Sequence, residues 1–174
     1  MDAAENIILV GFMGAGKSSV GRLLAKRLGR CFVETDDLIV AKEGRSIPEI
    51  FQADGEARFR QLEADLLDLL RLKRGEVIAT GGGFPCREGR MEALRAMGTV
   101  VWLAGEFEAL YARALRSGSR PMLDGQPREE VAALLHAREP YYRQAHLAVE
   151  TTGLGVDQVV RRILALLRER ARVG

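Results

Sequence analysis

Residues 11–18 read GFMGAGKS, a complete G-x-x-x-x-G-K-[S/T] string, and its flanks restrict the fold more than any other feature of the chain. Ahead of it lies the apolar run Ile7–Val10, which reads as a buried parallel strand. After Lys17 the spacing changes. Val20, Leu23, Leu24 and Leu28 recur at helical intervals, and Gly29 supplies a stop. Strand, glycine loop and helix in that order make a phosphate cradle. The glycines let backbone N–H groups turn inward, and the helix N-terminus adds partial positive charge. Lys17 reaches the β- and γ-phosphates and the Ser18 hydroxyl suits magnesium. The nucleotide-phosphate set is Gly14, Ala15, Gly16, Lys17, Ser18 and Ser19.

The rest of the chain repeats the alternation. Short strands are expected at 31–34, 76–80, 99–103 and 147–150. Helices are expected at 37–43, 55–72, 87–97, 106–116, 129–136 and 156–170, with Phe59, Leu62, Leu66 and Leu69 as the apolar stripe of the second of these. Ser46-Ile-Pro-Glu49 carries the marks of a helix start, with Ser46 as N-cap and Glu49 three residues on. Strands alternating with helices imply a parallel sheet covered on both faces, with ligands at the carboxyl ends of its strands. The polar, glycine-rich stretch 117–127, SGSRPMLDGQP, reads as a mobile lid.

Composition removes several classes. A chain of 174 residues with 47% hydrophobic content fits one domain. A net charge of +2 with no basic stripe argues against nucleic acid as partner. No apolar run is long enough to span a membrane, and the N-terminus lacks a basic and apolar leader. The two cysteines, Cys31 and Cys86, have no metal-like spacing, so a reducing cytoplasmic setting is expected. No heptad is visible, and a monomer is expected. The strings N-K-x-D and D-x-x-G of a guanine-nucleotide switch are absent. A small chain with a lid suits phosphoryl transfer to a small molecule, because a lid excludes water.

Candidate acceptor residues then follow. Glu34-Thr35-Asp36-Asp37 ends the second strand, facing the phosphate loop. One carboxylate there can orient a hydroxyl and another can hold magnesium through water, while Thr35, Asp36 or Asp37 can also cap the next helix. Arg60 stands four residues after Glu56 and three before Glu63, a spacing that helix-surface ion pairs explain equally well. The glycines of TGGG, 80–83, offer bare backbone or a tight turn, and Arg138 precedes Glu139-Pro140, where a helix break is expected.

Taken together, GFMGAGKSSVGRLLAKRLG, TDDLI, GRSIPEIFQADGEARFRQLE, VIATGGG, SRPML and REPYYR resemble the shikimate kinase family over nearly the whole length. The resemblance implies an α/β fold like that of nucleoside monophosphate kinases: three layers, a five-stranded parallel sheet, a substrate-binding helical segment and a mobile lid. A single domain is expected, with its core at about 1–35, 75–113 and 139–174, the substrate segment at about 36–65 and the lid at about 114–128. The implied reaction moves the ATP γ-phosphoryl group to the 3-hydroxyl of shikimate, with Mg2+ as cofactor, on the route to chorismate. By motif match, Asp36 binds substrate hydroxyls and acts as base. Arg60 and Arg138 hold the carboxylate, Gly81, Gly82 and Gly83 line the pocket, Arg120 touches the transferred phosphate, Arg113 lies beside adenine, and Ser18 ligates magnesium. Two departures stand out. Glu34 occupies the first position of the family's D-x-D, and TTGLGVD, 151–157, replaces a basic, proline-containing adenine loop. Alternatives are a gluconate or nucleoside monophosphate kinase on the same scaffold, or an ATP-binding regulatory module.

Overall fold

The computed structural model describes residues 4–116 and 126–173. Five parallel strands form one sheet in the order β2-β3-β1-β4-β5: β1 Asn6–Val10, β2 Phe32–Glu34, β3 Val77–Ala79, β4 Gly98–Ala104 and β5 Leu147–Glu150. The expected five-stranded parallel α/β sheet is present. Every residue of β1 is buried, as a central strand covered on both faces requires. Its Ile8 pairs with Ile78 of β3 on one side and Val100 of β4 on the other.

Helix α1, Lys17–Leu28, begins at Gly16 and ends at Gly29, both in the left-handed region. It packs against the last helix, α7, Val156–Val173. The β3-to-β4 connection, carrying α4 (Arg90–Met97), runs the opposite way along the sheet from the β1-to-β2 connection, so right-handed crossovers set α1 and α4 on opposite faces. At the amino end of the sheet, the fully buried Asn6 ties three strands together. Its Nδ2 donates to the Lys73 and Met97 carbonyls at 2.9 and 3.1 Å, and its Oδ1 accepts the Glu76 N–H at 3.0 Å.

Helix α2, Thr35–Glu43, starts with Glu34 in the N-cap position, and Asp36 and Asp37 lie in its first turn, where the helix dipole favours negative charge. Helix α3, Ile47–Leu70, opens with the expected Ser46–Glu49 capping box. It runs on through Gly55, whose φ of 77° and ψ of 177° break the helical geometry and kink the rod. One expectation is corrected here. The buried stripe is Phe59, Leu62, Glu63, Leu66 and Leu70, while Leu69 is 51% exposed. A strict 3.6-residue period carries the face from Leu66 to Leu70. A carboxylate, Glu63, therefore sits among the core positions.

The remaining helices are α5, Phe107–Arg116, and α6, Arg128–Tyr142. The expected break before Pro140 does not occur. Pro140 lies inside the last turn of α6, where it forfeits the N–H bond to the His136 carbonyl and its ring crowds that carbonyl, yet the helix runs on to Tyr142. Arg138 and Tyr142 are thereby delivered inward from a helix. Residues 117–125 of the expected lid, including Arg120, lie outside the described residues. No described helix is long and apolar enough to cross a membrane. The two cysteines are not joined.

Candidate active site

Because all five strands point the same way, the loops after β1, β2 and β3 gather at one edge of the sheet. The loop after β1 wraps the Lys17 ammonium. Lys17 is 7% exposed, and its Nζ donates to the Gly11 and Phe12 carbonyls at 2.7 and 2.9 Å. The loop needs glycine at position 14, where φ is +76° and a Cβ would lie 2.1 Å from the Leu110 carbonyl oxygen. No side chain caps the N-terminus of α1 and its first turn has no acidic residue, so its positive end and backbone N–H groups remain suited to an anion. Ala15 is buried, and Ser19 is exposed on α1.

Beside the loop, the Ser18 hydroxyl donates to Glu34 Oε1. The other Glu34 oxygen accepts from Arg22 Nη2 at 3.2 Å. The Arg22 guanidinium in turn lies over the Phe32 ring, 5.2 Å from its centroid. A hydroxyl and a carboxylate held together at a phosphate cradle are hard oxygen donors of the kind magnesium accepts. No group of three or more His, Cys, Asp or Glu that could hold a metal occurs among the described residues.

Next to these lies a cavity of about 680 Å³ lined by Asp36, Arg60, Gly81, Gly82, Gly83 and Arg138, with Glu63 at its wall and Met13 on the side of the phosphate loop. Every residue that the motifs single out for the acceptor thus faces one space, although they come from α2, α3, the turn after β3 and α6. The distances are short. A Cβ on Gly83 would lie 3.1 Å from Arg138 Nη2 and 3.4 Å from Arg60 Nη1, so both guanidinium groups converge on that turn. Val40, Ile47 and Phe51 add apolar wall.

The two arginines differ in how they are held. Arg60 makes both ion pairs that its spacing allows, to Glu56 and to Glu63, each at 2.9 Å. Burial works against its charge, but hydrogen bonds and charge from Glu63 and Glu56 raise its pKa. The helix-pair reading and the cavity reading therefore hold together. Arg138 is 8% exposed, lies over the Phe12 ring at 5.8 Å, and pairs with no carboxylate among the described residues. A buried cation that pairs with no carboxylate among the described residues and faces a cavity suits an anionic ligand.

Arg113 lies apart from this cavity. It donates to the Ala109 carbonyl at 3.1 Å and to Thr151 Oγ1 at 3.0 Å, which ties α5 to the loop at 151–155. Burial lowers its pKa. Three further residues build the site; the expected Arg60–Glu63 pair is among their contacts, while the contacts of Thr35 and Tyr142 to the glycine turn were not foreseen. Glu63, 2% exposed, anchors Arg60. Thr35 Oγ1 accepts the Gly81 N–H at 2.8 Å, and Tyr142 donates its hydroxyl to the Gly82 carbonyl at 2.7 Å. An acidic residue on an apolar stripe is a readable signal for Glu63. Nothing local marks the contacts of the other two.

Comparison with known proteins supplies the relatives of this arrangement. A family model described as shikimate kinase matches residues 13–168. A shikimate kinase of Symbiobacterium thermophilum is 47% identical over 97% of this chain and 99% of its own. A solved shikimate kinase from Acinetobacter baumannii, in complex with shikimate, superposes with a TM-score of 0.90 at 39% identity, covering 96% of this chain and 94% of that one. The shikimate kinase of Aquifex aeolicus superposes with a TM-score of 0.86 at 37% identity, covering 97% and 99%.

Proposed function

The chain belongs to the shikimate kinase family, and from that premise we infer that it moves the γ-phosphoryl group of ATP to the 3-hydroxyl of shikimate, giving shikimate 3-phosphate and ADP. It is an ATP-dependent phosphotransferase with an alcohol acceptor, serving aromatic amino acid biosynthesis. The observation that carries the acceptor assignment is the buried Arg138, which makes no ion pair with a carboxylate among the described residues, facing the same cavity as Arg60 and Asp36. Shikimate is a small ring acid with one carboxylate and three hydroxyls. Two guanidinium groups match the carboxylate with charge-assisted hydrogen bonds, and a carboxylate accepts from the hydroxyls.

In this mechanism Arg60 and Arg138 clamp the carboxylate of the ring and turn its 3-hydroxyl toward the phosphate loop. Asp36 accepts the proton of that hydroxyl as the oxygen attacks the γ-phosphorus. The new O–P bond forms while the bond from the γ-phosphorus to the β,γ-bridging oxygen breaks, leaving ADP. Lys17 and the N–H groups of Gly14, Ala15, Gly16, Ser18 and Ser19 stabilise the phosphate oxygens during transfer. Lys17 is already held within the loop, so little reorganisation is required of it. Ser18 suits direct ligation of Mg2+, and Glu34, bonded to Ser18, suits ligation through water. When bound, the ion neutralises developing phosphate charge. Arg113 lies beside adenine, and Arg120 reaches the transferred phosphate. The enzyme acts as a monomer in the cytoplasm, a compartment that keeps free thiols reduced.

The test is a coupled ADP assay with ATP, Mg2+ and a panel of acceptors. Shikimate drives ADP release, and gluconate and nucleoside monophosphates do not. Turnover of gluconate or a nucleotide in preference to shikimate contradicts the assignment, and nucleotide binding with no transfer to any acceptor makes the chain a regulatory module.

A further inference from the structure

The turn Gly81–Gly83 lies against three charged groups of the acceptor cavity, Asp36, Arg60 and Arg138. A Cβ on Gly81 would lie 2.7 Å from Asp36 Oδ1, and one on Gly82 would lie 3.4 Å from Arg138 Nη1. One on Gly83 would lie 3.1 Å from Arg138 Nη2. None of the three glycines has a φ in the left-handed region. Glycine is needed here for closeness, so that acid and guanidinium groups can rest against bare backbone. The same residues are the most flexible a chain can have. Something must hold their peptide planes if the charged groups beside them are to stay in register.

Two buried hydroxyls do so. Thr35 has no exposed surface, and its Oγ1 accepts the Gly81 N–H at 2.8 Å. Tyr142 has none either, and its hydroxyl donates to the Gly82 carbonyl at 2.7 Å. Its ring is fixed by stacking on Trp102, with centroids 6.2 Å apart and planes at 30°. Burial holds the phenol far above its ordinary pKa, so it remains a neutral donor at any working pH. The Cys86 thiol, also pushed up by burial, lies 3.5 Å from the same carbonyl. The Gly81 carbonyl is taken by the Phe84 N–H at 3.0 Å. With the Gly81 and Gly82 carbonyls bound within the protein, trans peptide planarity turns the N–H groups of Gly82 and Gly83 the opposite way.

We propose that Tyr142 is a positioning residue for the acceptor: its hydroxyl, with that of Thr35, fixes the peptide planes of Gly81–Gly83 so that the N–H groups of Gly82 and Gly83 and Arg138 meet a hydroxylated ring acid in one register. This rests on the reading that the cavity takes shikimate. Tyr142 acts through the Gly82 carbonyl, so its loss weakens acceptor binding and leaves the nucleotide side intact.

Tyr142→Phe keeps the ring and its stacking and removes only the hydroxyl. In the full chain the expected KM for shikimate rises about tenfold, because a buried carbonyl loses its main donor. The KM for ATP stays within about twofold, and Tm moves by only a few degrees. Thr35→Val raises the shikimate KM in the same direction, and Thr35→Ser, which restores the acceptor oxygen, returns it toward the wild-type value. A rise of less than about threefold in Tyr142→Phe, or equal rises for shikimate and ATP, overturns the proposal. Should Tyr142→Phe not fold, the Thr35 pair decides: equal shikimate KM values in Thr35→Val and wild type overturn it. The unaltered protein separates the two levels of the reading. Failure of wild type to turn over shikimate defeats the functional assignment, whereas normal wild-type turnover with an unmoved KM in the variants defeats only the positioning role.

Discussion

Asp36→Asn lowers kcat with shikimate by about 10³-fold, the span expected when a positioned general base is lost, while the KM for shikimate changes by only a few-fold. The side chains are isosteric, and the amide still hydrogen-bonds the ring hydroxyls, so binding survives. What disappears is a group able to take the proton as the new O–P bond forms. The substitution is mild for the fold. Asp36 lies in the first turn of α2 beside a second acidic residue, Asp37, and Glu34 fills the N-cap position without a side-chain capping hydrogen bond. Asparagine gives up some favourable interaction with the helix dipole, on the order of 0.5 kcal/mol. Steady-state kinetics on the purified variant, with Tm recorded alongside, checks both halves. A variant with wild-type kcat removes Asp36 as the base. A shikimate KM that rises as steeply as kcat falls makes Asp36 mainly a binding group.

Lys17→Ala abolishes turnover, with a loss of about 10³-fold or more in kcat, because the ammonium is the one side-chain cation built into the phosphate loop. Its removal is felt in the fold too. The Gly11 and Phe12 carbonyls both lose a donor in a region that is almost fully buried, which costs about 1–3 kcal/mol and a few degrees of Tm. Lys17→Met, which keeps the stem and removes the charge, separates the two effects. It loses activity as Lys17→Ala does while filling more of the space. Retention of more than about a tenth of wild-type kcat by either variant contradicts the role of the ammonium in transfer.

How far these residues could be recognised in the sequence depended on how local their context is. The phosphate loop was legible because its strand, loop and helix are contiguous, and the motif's glycines 11 and 16 both adopt positive φ. The capping box at Ser46 is equally local. Arg138 was legible only through family resemblance. Judged locally, Pro140 suggests a break, yet α6 continues through it to Tyr142. Arg60 shows how two explanations can coexist. Its ion pairs to Glu56 and Glu63 follow from helical spacing, but its place in the cavity depends on which face of α3 meets the sheet. The slip from Leu69 to Leu70 on that helix came from extending a stripe in steps of three and four without closing the turn at 3.6 residues. The contacts of Thr35 and Tyr142 to the glycine turn had no local signal. Their hydroxyls matter because the fold brings them to Gly81 and Gly82, 46 and 60 residues away in sequence.

The pairing of Arg138 with a ring carboxylate is the link on which the acceptor assignment turns. Arg60→Ala is a poor probe of it, because it also strands Glu63, which is 2% exposed and depends on Arg60 for its counter-charge. Arg138→Met removes charge and keeps most of the stem. The decisive measurement is ADP formation by wild type and Arg138→Met with shikimate and with its methyl ester, read as a thermodynamic cycle in kcat/KM. The expected result is that wild type loses about 10²-fold or more on the ester, that Arg138→Met loses a similar factor on shikimate, and that the ester costs the variant little more. If the ester is used by wild type as well as shikimate is, or if the two losses multiply, then Arg138 does not hold the carboxylate and the proposed binding mode is wrong.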